Sequence, residues 1–217
     1  CQNYQISQNP DALQSKEIDF EALADHMLCL QNKDRCHVIE FVSPTHFVPQ
    51  IVKALLLAIP KGLELPLVYN SNGYDSLEVL RLLDGVIDIY LPDIKYSDDA
   101  LAFKYSSVKD YVLHSRRAIK EMVRQTGDLV LDENGIAVKG VIVRHLVLPN
   151  QIAGSQESLR FLAEEVSRTI TLSVMAQYYP TNKAAKIPLL SRKIRTREYE
   201  NAIELLEKYG LENGWVQ

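Results

Sequence analysis

The stretch Leu67-Val68-Tyr69-Asn70-Ser71-Asn72-Gly73 decides the fold. Its first three residues read as a short buried strand. The four that follow are turn formers, three of them with short hydrogen-bonding side chains. Asp75 or Ser76 then stands where an N-cap belongs, ahead of a helix over Leu77–Leu83. Strand, polar strand end and helix in that order make one step of an α/β fold.

The same order recurs on both sides. Upstream, a helix over Ile18–Leu30, with Asp19 or Glu17 at its start, leads to a strand over Val38–Val42. The turn Ser43-Pro44-Thr45-His46 and a helix over Phe47–Ile59 follow. Downstream, Val86–Leu91 is a strand that ends in Pro92-Asp93-Ile94-Lys95, and a helical stretch spans Val108–Gln125. Residues 129–131 and 136–138 form a hairpin around Asn134-Gly135, a dipeptide that favours the positive φ angles of a tight turn. A strand over Val141–Val147 stops at Pro149-Asn150, and a helix over Ser155–Val166 comes next. Ile170–Ala176 is another strand. It opens a basic loop carrying Lys183, Lys186, Arg192, Lys193, Arg195 and Arg197, and a helix over Glu198–Tyr209 leads to a last short strand at 214–217. Short strands alternating with longer helices predict a parallel sheet in one α/β domain over residues 1–217. Ligands of such sheets gather at the carboxyl ends of the strands.

Bulk properties narrow the function classes. The 217 residues are 47% hydrophobic and 24% charged, ordinary values for a globular protein. A net charge of −4 disfavours an electrostatic grip on nucleic acid or on an anionic membrane. No apolar run reaches the roughly 18 residues that cross a bilayer. Three cysteines without regular spacing argue against a disulfide framework and for a reducing, cytoplasmic compartment. G-x-S-x-G, P-loop and G-x-G-x-x-G signatures are absent, so hydrolase, NTPase and dinucleotide readings lack local support.

The strand ends hold the candidate chemistry. Asn70, Ser71 and Asn72, with Gly73 allowing close backbone approach, suit a ribose or an amino-acid carboxylate; they equally suit a plain βα turn. Asp93 and Lys95 lie two apart and so point to one side. They read either as an orienting pair for a charged ligand or as a solvated ion pair. Arg144 stands inside an apolar strand, where an unpaired charge is costly, so it should face a site or a partner. His46, His114 and His145 form no spaced metal motif, and Cys29 and Cys36 read as structural thiols. The basic loop reads as a solvated surface, with docking of an acidic partner as its functional alternative.

The chain also opens on Cys1-Gln2-Asn3-Tyr4-Gln5-Ile6-Ser7. This stretch resembles the end of the cluster-binding loop of radical S-adenosylmethionine (SAM) enzymes. The order Ser43–Gln50, Tyr69–Ser76, Asp88–Tyr96, Val143–Pro149 and Leu211–Gln217 resembles the activating enzymes of pyruvate formate-lyase, in an uncharacterised branch of that family. The resemblance runs through all 217 residues. It implies a partial parallel (βα) barrel lacking most of its first strand, and a chain that begins at the third cluster cysteine. It implies a 4Fe–4S cluster with Cys1 as a ligand, which would be incomplete without the two upstream cysteines. It implies SAM held by Asn70, Ser71, Asn72, Asp93 and Lys95, with Arg144 and Leu148 beside the adenosyl group. Relatives carry Gly-Gly-Glu where Ser43-Pro44-Thr45 stands, which leaves Thr45 as the candidate for the amino-group contact. The implied activity is reductive cleavage of SAM to a radical that takes hydrogen from a glycyl-radical partner protein, with an external electron donor. Action on a small molecule, or a non-catalytic barrel serving as a binding module, are the alternatives.

Overall fold

The computed structural model describes residues 17–217 and, ahead of them, Tyr4 alone. Among the described residues seven strands form one sheet: β1 (Ile39–Val42), β2 (Leu67–Ser71), β3 (Ile89–Pro92), β4 (Val130–Leu131), β5 (Ala137–Leu146), β6 (Thr171–Met175) and β7 (Gly214–Val216). The order across it is β1-β2-β3-β5-β6-β7, with every neighbouring pair parallel. Strand β4 lies off this path and pairs antiparallel with β5 through the hairpin read around Asn134-Gly135. The sheet does not close; β1 and β7 are its edges among the described residues.

Among the described residues seven α-helices accompany the strands. They are α1 (Phe20–Asn32), α2 (Val48–Ala58), α3 (Leu77–Leu82), α4 (Asp99–Ser106), α5 (Tyr111–Thr126), α6 (Ser155–Phe161) and α7 (Thr196–Tyr209). Their starts follow from local chemistry. The Asp19 carboxylate accepts from the Ala22 N–H at 2.7 Å, and Ser76, not Asp75, caps α3. Helix α4 is not anticipated by the sequence reading. It is eight residues long and buries only Ala102, so it carries little helical hydrophobic period to read. The helix expected over Ser155–Val166 is α-helical to Phe161 and continues as a π-helix over Leu162–Val166. No helix of the described residues is long and apolar enough to cross a membrane.

Strand alternation sorts the residues into two faces. Ile39, Phe41, Tyr69, Tyr90, Val143, Leu172 and Val174 share the main apolar core with the helices. The alternate residues face the other way. The strand pairing therefore sets Glu40 and Val42 of β1, Asn70 of β2, Asp93 after β3, and Arg144 and Leu146 of β5 on a common inner face. A smaller apolar cluster of Tyr96, Ala102, Tyr111, Ile152, Tyr178 and Leu190 packs at the carboxyl end of the sheet.

Candidate functional site

A polar line crosses the inner face at the carboxyl ends of four strands. The Asn70 amide donates to Glu40 Oε1 at 2.6 Å and accepts from Arg144 Nη2 at 2.5 Å. The same Arg144 nitrogen lies 2.7 Å from Asp93 Oδ1, and Asp93 Oδ2 takes a short bond from Lys95 Nζ. Two carboxylates and two cations thus alternate through one amide. Each ionised group has an opposite charge or a hydrogen bond, which offsets the cost of keeping it from water. The line is not sealed: the Lys95 and Arg144 side chains keep 41% and 25% of their surface. The Arg144 Nε is buried and has no partner among the described residues.

Behind this line two buried hubs fix the loops. The Asp75 carboxylate accepts from Thr45 Oγ1 at 2.8 Å, from the Tyr69 hydroxyl at 2.9 Å and from Ser71 Oγ at 2.6 Å. Burial, with Asp75 alongside, pushes the Tyr69 phenol well above its ordinary range. Tyr111 on α5 is the second hub. Its hydroxyl donates toward the carbonyls of Asn72 and Asp93, at 3.0 and 3.2 Å, and accepts from the Lys95 N–H at 2.9 Å. Burial raises this phenol too, so it stays protonated and can donate.

Gly73 sits between the hubs with φ +77°, and a Cβ on it would overlap the Asp93 carbonyl oxygen. The loop after β2 and the loop after β3 touch here, which only glycine allows. His145 is a third internal fastener. Its Nδ1–H donates to the Ile94 carbonyl at 2.8 Å and its Nε2 accepts from Ser155 Oγ at 2.8 Å. Burial lowers its pKa, so the ring is neutral.

The sequence-derived residues divide accordingly. Asn70, Asp93, Lys95 and Arg144 come together in one network. Ser71 turns to the helix side, 2% exposed, with its hydroxyl given to Asp75. Thr45 likewise donates to Asp75. Asn72 is exposed and its Oδ1 accepts from the Tyr74 N–H at 2.9 Å, making a local turn. Leu148 packs against the smaller apolar cluster. Cys1 lies outside the described residues. Glu40, Asp75 and Tyr111 are site residues that the sequence reading does not single out. Among the described residues no group of three or more His, Cys, Asp and Glu side chains could hold a metal ion, and Cys29 and Cys36 are free thiols.

No protein-family profile matches the chain. An uncharacterised protein of Methanocaldococcus jannaschii is 30% identical over 223 aligned positions, which take in 98% of this chain and 59% of that protein. The chain therefore spans about three-fifths of the length of the curated relative it matches. Among solved structures, a domain of a pyruvate-formate lyase-activating enzyme from Bacteroides vulgatus superposes with a TM-score of 0.59. The sequences are 12% identical, and the match covers 84% of this chain and 99% of that one. This likeness establishes the fold, an open parallel α/β sheet of the partial-barrel kind.

The network could receive a ligand that carries both charge signs. Glu40 and Asp93 accept from hydroxyls or an ammonium group. Lys95 and Arg144 can donate to a carboxylate or to ring acceptors.

Proposed function

We propose that the chain is the partial-barrel portion of a radical SAM enzyme of the activating-enzyme type, which binds SAM along the Glu40–Asn70–Arg144–Asp93–Lys95 line. The observation that carries this reading is that line: paired charges of both signs at the carboxyl ends of parallel strands, with the Lys95 and Arg144 side chains still partly exposed. SAM has a zwitterionic amino-acid end and a ribose diol, which are the complementary groups, so the residues present fit it. The likeness in fold to an activating-enzyme domain supports the same reading.

A reduced 4Fe–4S cluster, for which Cys1 is the implied ligand, would together with bound SAM supply the radical chemistry of hydrogen-atom abstraction. The chain's own residues bind and orient. Asp93 and Glu40 present acceptors to the ribose or the ammonium group. Arg144 and Lys95 hold acceptor atoms of the ligand. Tyr111 and Gly73 keep the two loops in contact, so these side chains meet the ligand already positioned. The substrate in this reading is a glycyl-radical partner protein in the cytoplasm, served by an external electron donor.

The test is anaerobic reconstitution of the full-length protein with iron and sulfide, reduction with dithionite, and addition of SAM. Release of 5′-deoxyadenosine supports the reading. An assembled cluster that releases none favours a barrel that binds without catalysis.

A further inference from the structure

No Asp or Glu occurs between Glu165 and Glu198, although the whole chain carries 28 acids against 24 Lys and Arg. The cations of this span concentrate in the loop between β6 and α7. Two of them are used internally. Arg192 pairs with Glu198 at 2.7 Å and donates to Asn150 Oδ1 at 3.0 Å, and Arg197 reaches Glu204 at 3.0 Å. Lys183, Lys186, Lys193 and Arg195 are exposed and make no ion pair among the described residues.

The backbone that carries them is anchored. The Tyr178 hydroxyl, 7% exposed, donates to the Leu190 carbonyl at 2.7 Å, and the Asn150 amide donates to the Leu189 carbonyl at 2.7 Å. Glu198 adds bonds to the backbone N–H groups of Asn150 and Arg195. Four cations on one anchored loop, without an ion pair among the described residues, give it a local positive potential, which attracts an anion. The loop also leaves Tyr179 and Leu189 46% exposed, and a cavity of about 290 Å³ opens between Gln177, Tyr179 and Lys193. Apolar and aromatic surface ringed by cations suits a peptide with acidic and apolar side chains.

Position adds to the argument. The loop leaves the carboxyl end of β6, whose Ser173 and Met175 pair with Arg144 and Leu146. Ile187 of the loop and Leu148, two residues past the end of β5, pack on the same small apolar cluster. A molecule held by the loop therefore lies on the rim where Arg144 and Lys95 emerge.

We infer that the Lys183–Arg195 loop is a docking surface for an acidic segment of a partner protein. The net charge of −4 repels a long polyanion, which favours a short acidic peptide over nucleic acid. The inference rests on charge and packing and stands apart from the cofactor reading. Capture of a peptide needs neither cluster nor SAM, so a protein that binds peptide without cleaving SAM, or the reverse, tells which of the two has failed.

The probe is a fluorescein-labelled decaglutamate, titrated by anisotropy with the purified protein at about 50 mM salt, where surface charges act over roughly a Debye length of 14 Å. Saturable binding is expected, weakening as salt rises. Reversing Lys183, Lys186, Lys193 and Arg195 to Glu should weaken it about tenfold or more. Reversing Lys33, Lys109, Lys139 and Arg117, an equal charge change elsewhere, should alter it less than about threefold. A Gln series at the same four loop positions guards against misfolding of the reversal variant and should weaken binding in the same direction. Equal loss in both reversal variants, no loss in the Gln series, or tighter binding of a single-stranded oligonucleotide of matched charge would overturn the assignment.

Discussion

Arg144 and Asp93 meet twice. Their backbones pair as an isolated parallel bridge, and their side chains meet again at 2.7 Å. The ion pair is thus built on a backbone contact that already fixes the distance between the two strands' ends. Replacing Arg144 by Ala leaves Asp93 with Lys95 as its remaining cation and removes a donor to Asn70. Both partners are partly exposed, so screening keeps the stability loss to about 1–2 kcal/mol. In the proposed reading SAM affinity should fall more steeply, about tenfold or more. Calorimetric titration with SAM, beside urea unfolding, separates the two effects.

The Tyr111 hydroxyl ties three backbone groups on two loops. The change Tyr111→Phe keeps the ring and strands those groups, at a cost of about 1–3 kcal/mol by urea unfolding. It removes no side chain assigned to the ligand, although the hydroxyl bonds to the backbone of Asp93 and Lys95. A drop in SAM affinity in this variant, with the far-ultraviolet spectrum unchanged, would mark Tyr111 as a positioning residue. Unchanged affinity would limit it to stability.

Gly73 makes a sharper case. Alanine there must take φ +77° and also displace the Asp93 carbonyl. The backbone term alone costs on the order of 1 kcal/mol, and the overlap adds to it. Gly73→Ala should lower the urea midpoint more than Gly85→Ala, where φ is +78° and a Cβ meets open space. Equal effects at the two sites would show that the loops part without difficulty.

Acid should weaken the anchored basic loop. Arg192 beside Glu198, helped by the Arg195 and Asn150 N–H groups, holds that carboxyl down at about 2. A folded pKa below the unfolded one contributes stability above the unfolded value, and that contribution is lost as pH falls through it toward 2. The urea midpoint of the native protein should therefore drop between about pH 4.5 and pH 2. Glu198→Gln should start lower at neutral pH and show a shallower fall across the same window.

The strand ends were legible in the sequence because turn formers directly after apolar runs have one common explanation. Arg144 was legible because a lone charge inside a β strand needs a reason. Glu40 carries the same signal, a carboxylate between Ile39 and Phe41, and it joins the same network. Tyr111 left no local trace: it opens a helix, and its partners Asn72 and Asp93 are brought to it only by tertiary packing. Ser71 shows the opposite failure. Strand alternation turns it away from Asn70, so adjacency in a polar stretch did not mean a shared face. Asp75 reads from sequence as a cap, but the cap is Ser76 and the carboxylate serves three hydroxyls instead.

Those three hydroxyls come from two parts of the chain: Thr45 from the turn after β1, and Tyr69 and Ser71 from β2. One carboxylate balances all three donors without a cation among its hydrogen-bond partners. Substitutions at the three positions should therefore not act independently. Once Asp75 has lost one donor, the loss of a second falls on a carboxylate already short of partners, and the combined penalty should exceed the sum of the single ones. Conversely, Asp75→Asn should make a later loss at Thr45 or Tyr69 cheaper than it is in the native protein. The four residues would then change together or hardly at all.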